Sequence, residues 1–311
     1  MNKNNKIHFI GIAGIGMSSL AEFLYKNYTV TGSDLSGNET TTKLKKIGIK
    51  IYEDQSAENI TNQDLIIYTS AIKNNNPELV EAKKRGIKCI TRGQALGEFT
   101  CKDNNICITG THGKSTTTNY LAQILLNCGK KPSVFLGAIN TKYKTNFIYN
   151  RSNLNVIEAD ESDNSFNFLT SMYSIITNID FDHMDFYKTK KNLYLAFENF
   201  IKKTTNKVIV NNDCPNIKNI IVKNTNKKII KFSNIEKNAE FYFEIKNSQK
   251  RTEIILYKKK NIIGTFKFQK ISHYNCYNVV GSIITAIEMG ISSEKIKKIS
   301  QKLDQPSRRF E

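Results

Sequence analysis

The chain has 311 residues, 39% of them hydrophobic and 24% charged, with a formal net charge of +18. That length accommodates two domains with cores of their own, and the balance of apolar and charged residues is that of a folded globular protein, not a disordered one. No apolar run reaches the length of a membrane span and the first six residues are polar, so neither a membrane partner nor a signal peptide is expected, and the cytoplasm is the expected location.

The basic excess is spread thinly among abundant Asn and Ile, a pattern that A/T-rich codons explain. Only Lys258–Lys260 is dense, and it falls at an expected hairpin tip. No nucleic-acid partner is therefore expected. Cys89, Cys101, Cys107, Cys128, Cys214 and Cys276 form no Cys-x-x-Cys pair and read as buried free thiols, not as disulfides or a zinc site.

From Lys6 to about Thr100, short β-rich runs alternate with helical stretches. Ile7–Ile10, Thr29–Thr31, Ile49–Tyr52, Leu65–Tyr68 and Lys88–Ile90 are the predicted strands; Met17–Asn27, Thr40–Ile47 and Pro77–Arg85 are the predicted helices. Such alternation predicts a parallel sheet with helices on its faces. The first turn, Gly11-Ile-Ala-Gly-Ile-Gly16, lets a helix N-terminus approach a pyrophosphate, although its glycine order differs from Gly-x-Gly-x-x-Gly and argues against a plain NAD site. Asp34 follows the second strand, where an acidic side chain can meet a ribose. Helix packing alone would also account for the glycines; the placement of Asp34 favours a nucleotide-type ligand.

Cys101–Asn105 is a polar joint and the expected boundary, giving domains 1–101 and 102–311. Directly after it, Ile106 to Thr118 reads as a buried strand, a turn bounded by Gly110 and Gly113, and a helix start. The glycines let backbone N–H groups fold around an anion, Lys114 supplies positive charge, and Ser115 or Thr116 can offer a hydroxyl to Mg2+. Position 108 is Ile108 where a Walker A loop has its first glycine, so this is a shortened variant. Alone, Gly-x-x-Gly-Lys could be a lysine-capped turn. The preceding strand and the helical apolar face of Ala122, Leu125 and Leu126 favour nucleotide binding.

Further strands are expected near Ser133–Leu136, Asn155–Glu158, Tyr173–Thr177 and Lys207–Val210. Phe241–Ile245, Thr252–Tyr257 and Ile262–Phe268 follow as an antiparallel meander, with closing helices at Cys276–Met289 and Ser293–Leu303. Glu158-Ala-Asp-Glu-Ser-Asp163 sets four carboxylates at a strand end beside the phosphate loop, where Mg2+ is commonly held. Thr177 to Asp185 places His183 among further carboxylates, and the two loops together suggest a pair of cations at the γ-phosphate.

These motifs together resemble the Mur ligases, ATP-dependent amide-bond-forming enzymes of peptidoglycan synthesis. The resemblance runs from Ile7 to Phe310. It rests on His8–Met17, Ser70-Ala-Ile72 with Asn76-Pro77, Gly110–Thr116, Glu158–Asp163, Asn178–Tyr187 and Arg308-Arg-Phe310. Within the family the pattern is most similar to members that join L-alanine to UDP-N-acetylmuramate, and less so to those that recycle whole peptides onto the same sugar nucleotide. It implies an α/β fold: a Rossmann-like parallel-sheet domain for the UDP-sugar, then a P-loop central domain with an antiparallel β portion for ATP.

By that resemblance Lys114 holds the β and γ phosphates within the loop of Gly110, Thr111, His112 and Gly113. Ser115 or Thr116 with Glu158 binds one Mg2+, and His183 supports a second cation. Asn275 and Asn278 meet adenine, Arg309 lies near the nucleotide, and Gly11, Ala13, Gly14, Ile15, Gly16, Asp34 and Ser70 hold the UDP-sugar. Three departures stand out. Ser115 replaces the usual threonine and keeps the hydroxyl. Tyr274 replaces the histidine of His-Asn-x-x-Asn, with His273 one place earlier, which predicts an altered adenine contact. The sequence ends at Glu311, where family members continue into a third domain that contributes to the amino-acid site. A separately encoded third domain is thus a candidate partner, and a non-catalytic nucleotide-binding module is the alternative reading.

Overall fold

β1 (Lys6–Ile10) is an apolar run buried along four of its five residues, as a strand covered on both faces must be. After it come α1 (Ile15–Leu24), β2 (Thr29–Ser33), α2 (Glu39–Lys46), β3 (Lys50–Tyr52), β4 (Leu65–Tyr68), α3 (Pro77–Lys84), β5 (Lys88–Thr91) and α4 (Arg92–Thr100). The helix starts are written into the sequence. Asn38 and Thr41 form a reciprocal capping box on α2, and Asn76 caps α3 immediately before Pro77. The five strands form one sheet in the order β3-β2-β1-β4-β5, parallel throughout. The order reverses between β1 and β4, so a crevice opens beyond the carboxyl ends of those two strands.

A polar network sits inside this core. His8 on β1 is fully buried, bonding Thr31 through Nδ1 (2.8 Å) and Glu78 through Nε2 (3.2 Å). Ser33 and Asn59 donate to the same buried carboxylate, at 2.5 and 2.9 Å. Every partner is satisfied, so the network ties β1, β2 and the first turn of α3 together instead of destabilising them.

The computed structural model describes residues 5–101, 104–140, 145–221 and 228–304. By contacts, the chain divides into one unit running to Phe99 together with Gly137–Ile139, and a second formed by Thr100–Leu136 and the chain from Asn140 onward. The remaining elements are β6 (Asn104–Thr109), α5 (Lys114–Asn127), β7 (Ser133–Asn140), β8 (Thr145–Ile148), β9 (Leu154–Glu158), β10 (Ser171–Ile176), α6 (Met184–Tyr187), α7 (Lys190–Lys202), β11 (Thr204–Asn211), α8 (Pro215–Ile221), β12 (Lys228–Ser233), β13 (Phe241–Asn247), β14 (Arg251–Lys258), β15 (Asn261–Gln269), α9 (His273–Glu288) and α10 (Ser293–Ser300).

Their sheet runs β15-β14-β13-β12-β11-β10-β6-β9-β7-β8. It is parallel from β13 through β12, β11, β10, β6 and β9 to β7, and antiparallel at both margins. Thus the fold is α/β with a mixed second sheet. Its core joins Ile108 and Ile175 of the sheet to Leu121 and Leu125 of α5 and to Val280 and Ile284 of α9. Each such fully buried side chain contributes about 1.5–3 kcal/mol relative to exposure.

Several elements depart from the sequence reading. α1 starts at Ile15 and ends at Leu24, because the chain turns at Tyr25 to Tyr28 to enter β2. α4, β8, α6, α7, α8 and β12 carry no expectation; α4 holds two glycines and has little amphipathic character. Lys259 and Lys260 form the two-residue turn between β14 and β15, both with positive φ. All six cysteines are free, but Cys101 is exposed and Cys89 and Cys128 are half-buried, so the expectation of buried thiols holds only for Cys107, Cys214 and Cys276. Burial pushes the Cys276 thiol up to about 11. Among the described residues, no helix is long and apolar enough to cross a membrane.

Candidate functional site

In the first unit the glycine turn leaves β1 at the switch point of the sheet. Gly11 has φ +80°, and a Cβ there would lie 2.9 Å from Thr69 Cγ2, just past β4, so only glycine fits. Its N–H and that of Ile12 donate to the Ser33 carbonyl at 2.9 and 3.0 Å. Asp34 closes the turn: Oδ2 accepts from the Ala13 N–H at 2.8 Å, and Oδ1 accepts from the N–H and hydroxyl of Ser36 at 2.9 and 2.6 Å. Gly14 caps α1 without a side-chain bond, and Gly14, Ile15 and Ser70 are exposed around the opening, with Gly16 half-buried. A Cβ at Gly16 would come within 3.0 Å of the Arg92 side chain, which places a guanidinium over the first turn of α1. Arg92 belongs to no motif, and nothing in its sequence neighbourhood points to that position.

In the second unit β9, β6 and β10 are adjacent and parallel, so their carboxyl ends deliver three loops to one edge. β6 leads into Gly110 (φ +132°), Thr111, His112 and Gly113 (φ +83°), the last capping α5 with no side-chain bond. The first turn of a helix carries unpaired N–H groups and a positive partial charge, which suits an anion. β10 leads into Thr177 and Asn178, which hold the loop. Thr177 Oγ1 donates to the His112 carbonyl at 2.6 Å, Asn178 Nδ2 donates to the same carbonyl at 2.8 Å, and Asn178 Oδ1 accepts from the His112 N–H at 2.9 Å. Thr177 and Asn178 were visible as part of a motif, but their clamping role depends on strand adjacency and not on local spacing.

β9 supplies the carboxylates. Ser115 Oγ donates to Glu158 Oε1 at 2.7 Å, joining a hydroxyl and a carboxylate of the hard-oxygen type that Mg2+ prefers. The Lys114 ammonium does not reach Glu158. It donates to the Gly110 and Thr111 carbonyls at 2.8 and 3.3 Å and to Glu161 Oε1 at 3.0 Å, with Oε2 at 2.9 Å outside hydrogen-bond geometry. Burial pushes the Glu161 carboxyl up, and the neighbouring Lys114 charge and hydrogen bond pull against that shift.

His183 caps α6 with φ +56° and puts Nε2 4.0 Å from Glu161 Oε1, so it faces Glu161 and not Glu158. His112 Nε2 lies 3.5 Å from Asp180 and 3.8 Å from Asp182. Among the described residues, no group of three or more His, Cys, Asp or Glu side chains is arranged around one metal position. A hydroxyl and a carboxylate meet in the Ser115–Glu158 pair, with Thr116 half-buried in the same helical turn.

α9 approaches the same loop. Asn278 is almost buried, its Oδ1 accepting from Thr117 Oγ1 at 3.3 Å and its Nδ2 donating to Asn275 Oδ1 at 3.2 Å. Tyr274 projects beside them, 81% exposed. Arg309 lies outside the described residues.

Residues 6–103 match the Mur ligase family, catalytic domain, and residues 108–286 match the Mur ligase middle domain. The chain belongs to the Mur ligase family. This Mur ligase chain is 36% identical to a protein of Fusobacterium nucleatum and 37% identical to one of Aquifex aeolicus, both named UDP-N-acetylmuramate--L-alanine ligase. The matches cover 98% of this chain and 66% and 68% of those relatives. It thus spans about two thirds of the length of the curated relatives it matches. A solved UDP-N-acetylmuramate-alanine ligase from Thermotoga maritima superposes with a TM-score of 0.85 at 28% identity, covering 98% of this Mur ligase chain and 70% of that one. A Neisseria UDP-N-acetylmuramate:L-alanyl-gamma-D-glutamyl-meso-diaminopimelate ligase gives 0.89 at 21% identity, covering 98% and 100%, and shows the shared fold.

Proposed function

We propose that the chain is the sugar-nucleotide-binding and ATP-binding part of a UDP-N-acetylmuramate:L-alanine ligase acting in the cytoplasm, with residues 1–101 holding the UDP-sugar and 102–311 the ATP. The observation that carries this reading is the edge at which β6, β9 and β10 set the uncapped start of α5, Lys114, Glu158 and Asn178 around one loop. The names of the relatives at 36–37% identity support the alanine-adding reaction over peptide recycling.

In the reaction, a lactyl carboxylate oxygen attacks the γ-phosphorus while the bond to the bridging oxygen breaks and ADP leaves. The amine of L-alanine then attacks the acyl carbon of the acyl phosphate, phosphate departs, and the amine proton passes to solvent. The chain's own part is to position and neutralise. The α5 N–H groups and Lys114 receive the β and γ phosphates, Asn275 and Asn278 meet the base, and the Gly11–Gly16 turn, shaped by Asp34 and flanked by Ser70, receives the UDP diphosphate. Mg2+, when bound, would neutralise phosphate charge; Ser115 or Thr116 with Glu158 would hold one ion, and His183 would support a second.

The test is ADP release by the 311-residue chain with MgATP and UDP-N-acetylmuramate, with and without L-alanine and with tripeptide in competition. MgATP alone should raise thermal stability, by about 2.7 kcal/mol at a concentration 100-fold above its dissociation constant, and Lys114→Ala should sharply reduce the rise. Binding of neither MgATP nor the UDP-sugar overturns the reading. Binding without ADP release assigns residues 1–311 the role of a binding part that does not ligate by itself.

A further inference from the structure

The three hydrogens of the Lys114 ammonium are all engaged, by the carbonyls of Gly110 and Thr111 and by the Glu161 carboxylate. Two of these partners belong to the loop itself; the third is the charged one. Glu161 lies 47 residues away in sequence, and its side chain is 2% exposed. Its backbone is tied into the loop, the carbonyl accepting from the hydroxyl of buried Tyr187 and the N–H of Asn164. With all three hydrogens engaged, a phosphate oxygen that bonds Lys114 has to displace one of these acceptors, and Glu161 is the charged one among them. The carboxylate left behind has the imidazole of His183 4.0 Å away.

Building on the nucleotide reading of this loop, we propose that Glu161 is a counter-ion latch for Lys114: it holds the lysine across the loop, and bound phosphate has to displace it. Glu161 is a positioning residue, acting on the ligand only through Lys114. A buried carboxylate stripped of its cation opposes the exchange, so the latch weakens the affinity for phosphorylated ligands. The chemistry it discriminates against is any anion too weak to take over the ammonium.

The test is the dissociation constant of MgATP, ADP and adenosine for the full chain, for Glu161→Gln, for Lys114→Met and for the double variant. Glu161→Gln should bind both phosphorylated nucleotides about tenfold more tightly and leave adenosine unchanged. In the Lys114→Met background the gain should vanish. A gain that persists without the lysine means that Glu161 merely repels phosphate through space, and it overturns the latch. Unchanged or weaker nucleotide binding in Glu161→Gln also overturns it. If Glu161→Gln does not fold, Glu161→Asp, which draws the carboxylate back by one methylene, decides the matter: a smaller gain of the same sign supports the latch and no gain refutes it. A wild-type chain that binds no nucleotide refutes the function proposed for the loop as well as the latch.

Discussion

Gly113→Ala probes the phosphate loop at the point where backbone and packing constraints coincide. Gly113 has φ +83°, and a methyl there would stand 2.5 Å from Asn278 Oδ1 and 3.1 Å from its Cγ. A left-handed backbone costs an L-residue about 1–2 kcal/mol. Forcing Asn278 aside adds about 1–3 kcal/mol for overpacking, and its bonds to Thr117 and Asn275 weaken as it moves. The expected loss is about 2–5 kcal/mol, read as a lower urea midpoint with the slope unchanged. Asn278→Ala removes the obstructing atoms, so Gly113→Ala in that background should cost only the backbone part. The coupling energy of the cycle should be about 1–3 kcal/mol. Additive effects, with coupling within about 0.5 kcal/mol of zero, would refute the claim that Asn278 packs where the methyl must go.

Asp34→Ala leaves the Ala13 N–H of the glycine turn without its acceptor and should cost about 1–3 kcal/mol in urea unfolding while weakening the UDP-sugar; Asp34→Asn, which keeps the acceptor, should lose much less. Glu288 is held by Lys207 at 2.6 Å and Lys258 at 2.7 Å. Burial works to raise its pKa, but the two lysine hydrogen bonds outweigh it and leave the carboxyl below its ordinary value of 4.5. A depressed carboxylate contributes stability above the unfolded-state pKa and loses it as pH falls through the folded one. Glu288→Gln should therefore be less stable than wild type at neutral pH, with the gap closing below about pH 4.5; a gap that stays constant down to about pH 3 counts against the assignment.

What the sequence made legible was local. The Gly11–Gly16 and Gly110–Ser115 turns each join a β-rich run to an apolar helical face within a few residues, so both strand-turn-helix units were readable, as was the β13–β15 meander from its alternation. Pairings set by strand order were not. The grip of Thr177 and Asn178 on His112 spans 65 and 66 residues, and it exists because β6 and β10 lie side by side. Glu161 was one carboxylate among four in its loop until the register of β9 against β6 put it on Lys114. α4 escaped for a different reason: with Gly93 and Gly97 it has weak helical propensity of its own and relies on tertiary packing.

The first turn of α5 is fastened to the middle of α9, Thr117 Oγ1 to Asn278 at 3.3 Å and Ser282 Oγ to the Thr117 carbonyl at 3.0 Å. Two rods cross-linked in this way keep one register. One carries the Gly110–Gly113 loop and the other carries Asn275 and Asn278, so sliding either helix along the other would break both bonds and disturb both sets of residues together. Under the nucleotide reading proposed above, the placement of the base-side asparagines against the phosphate loop is then a property of the helix pair and of neither helix alone.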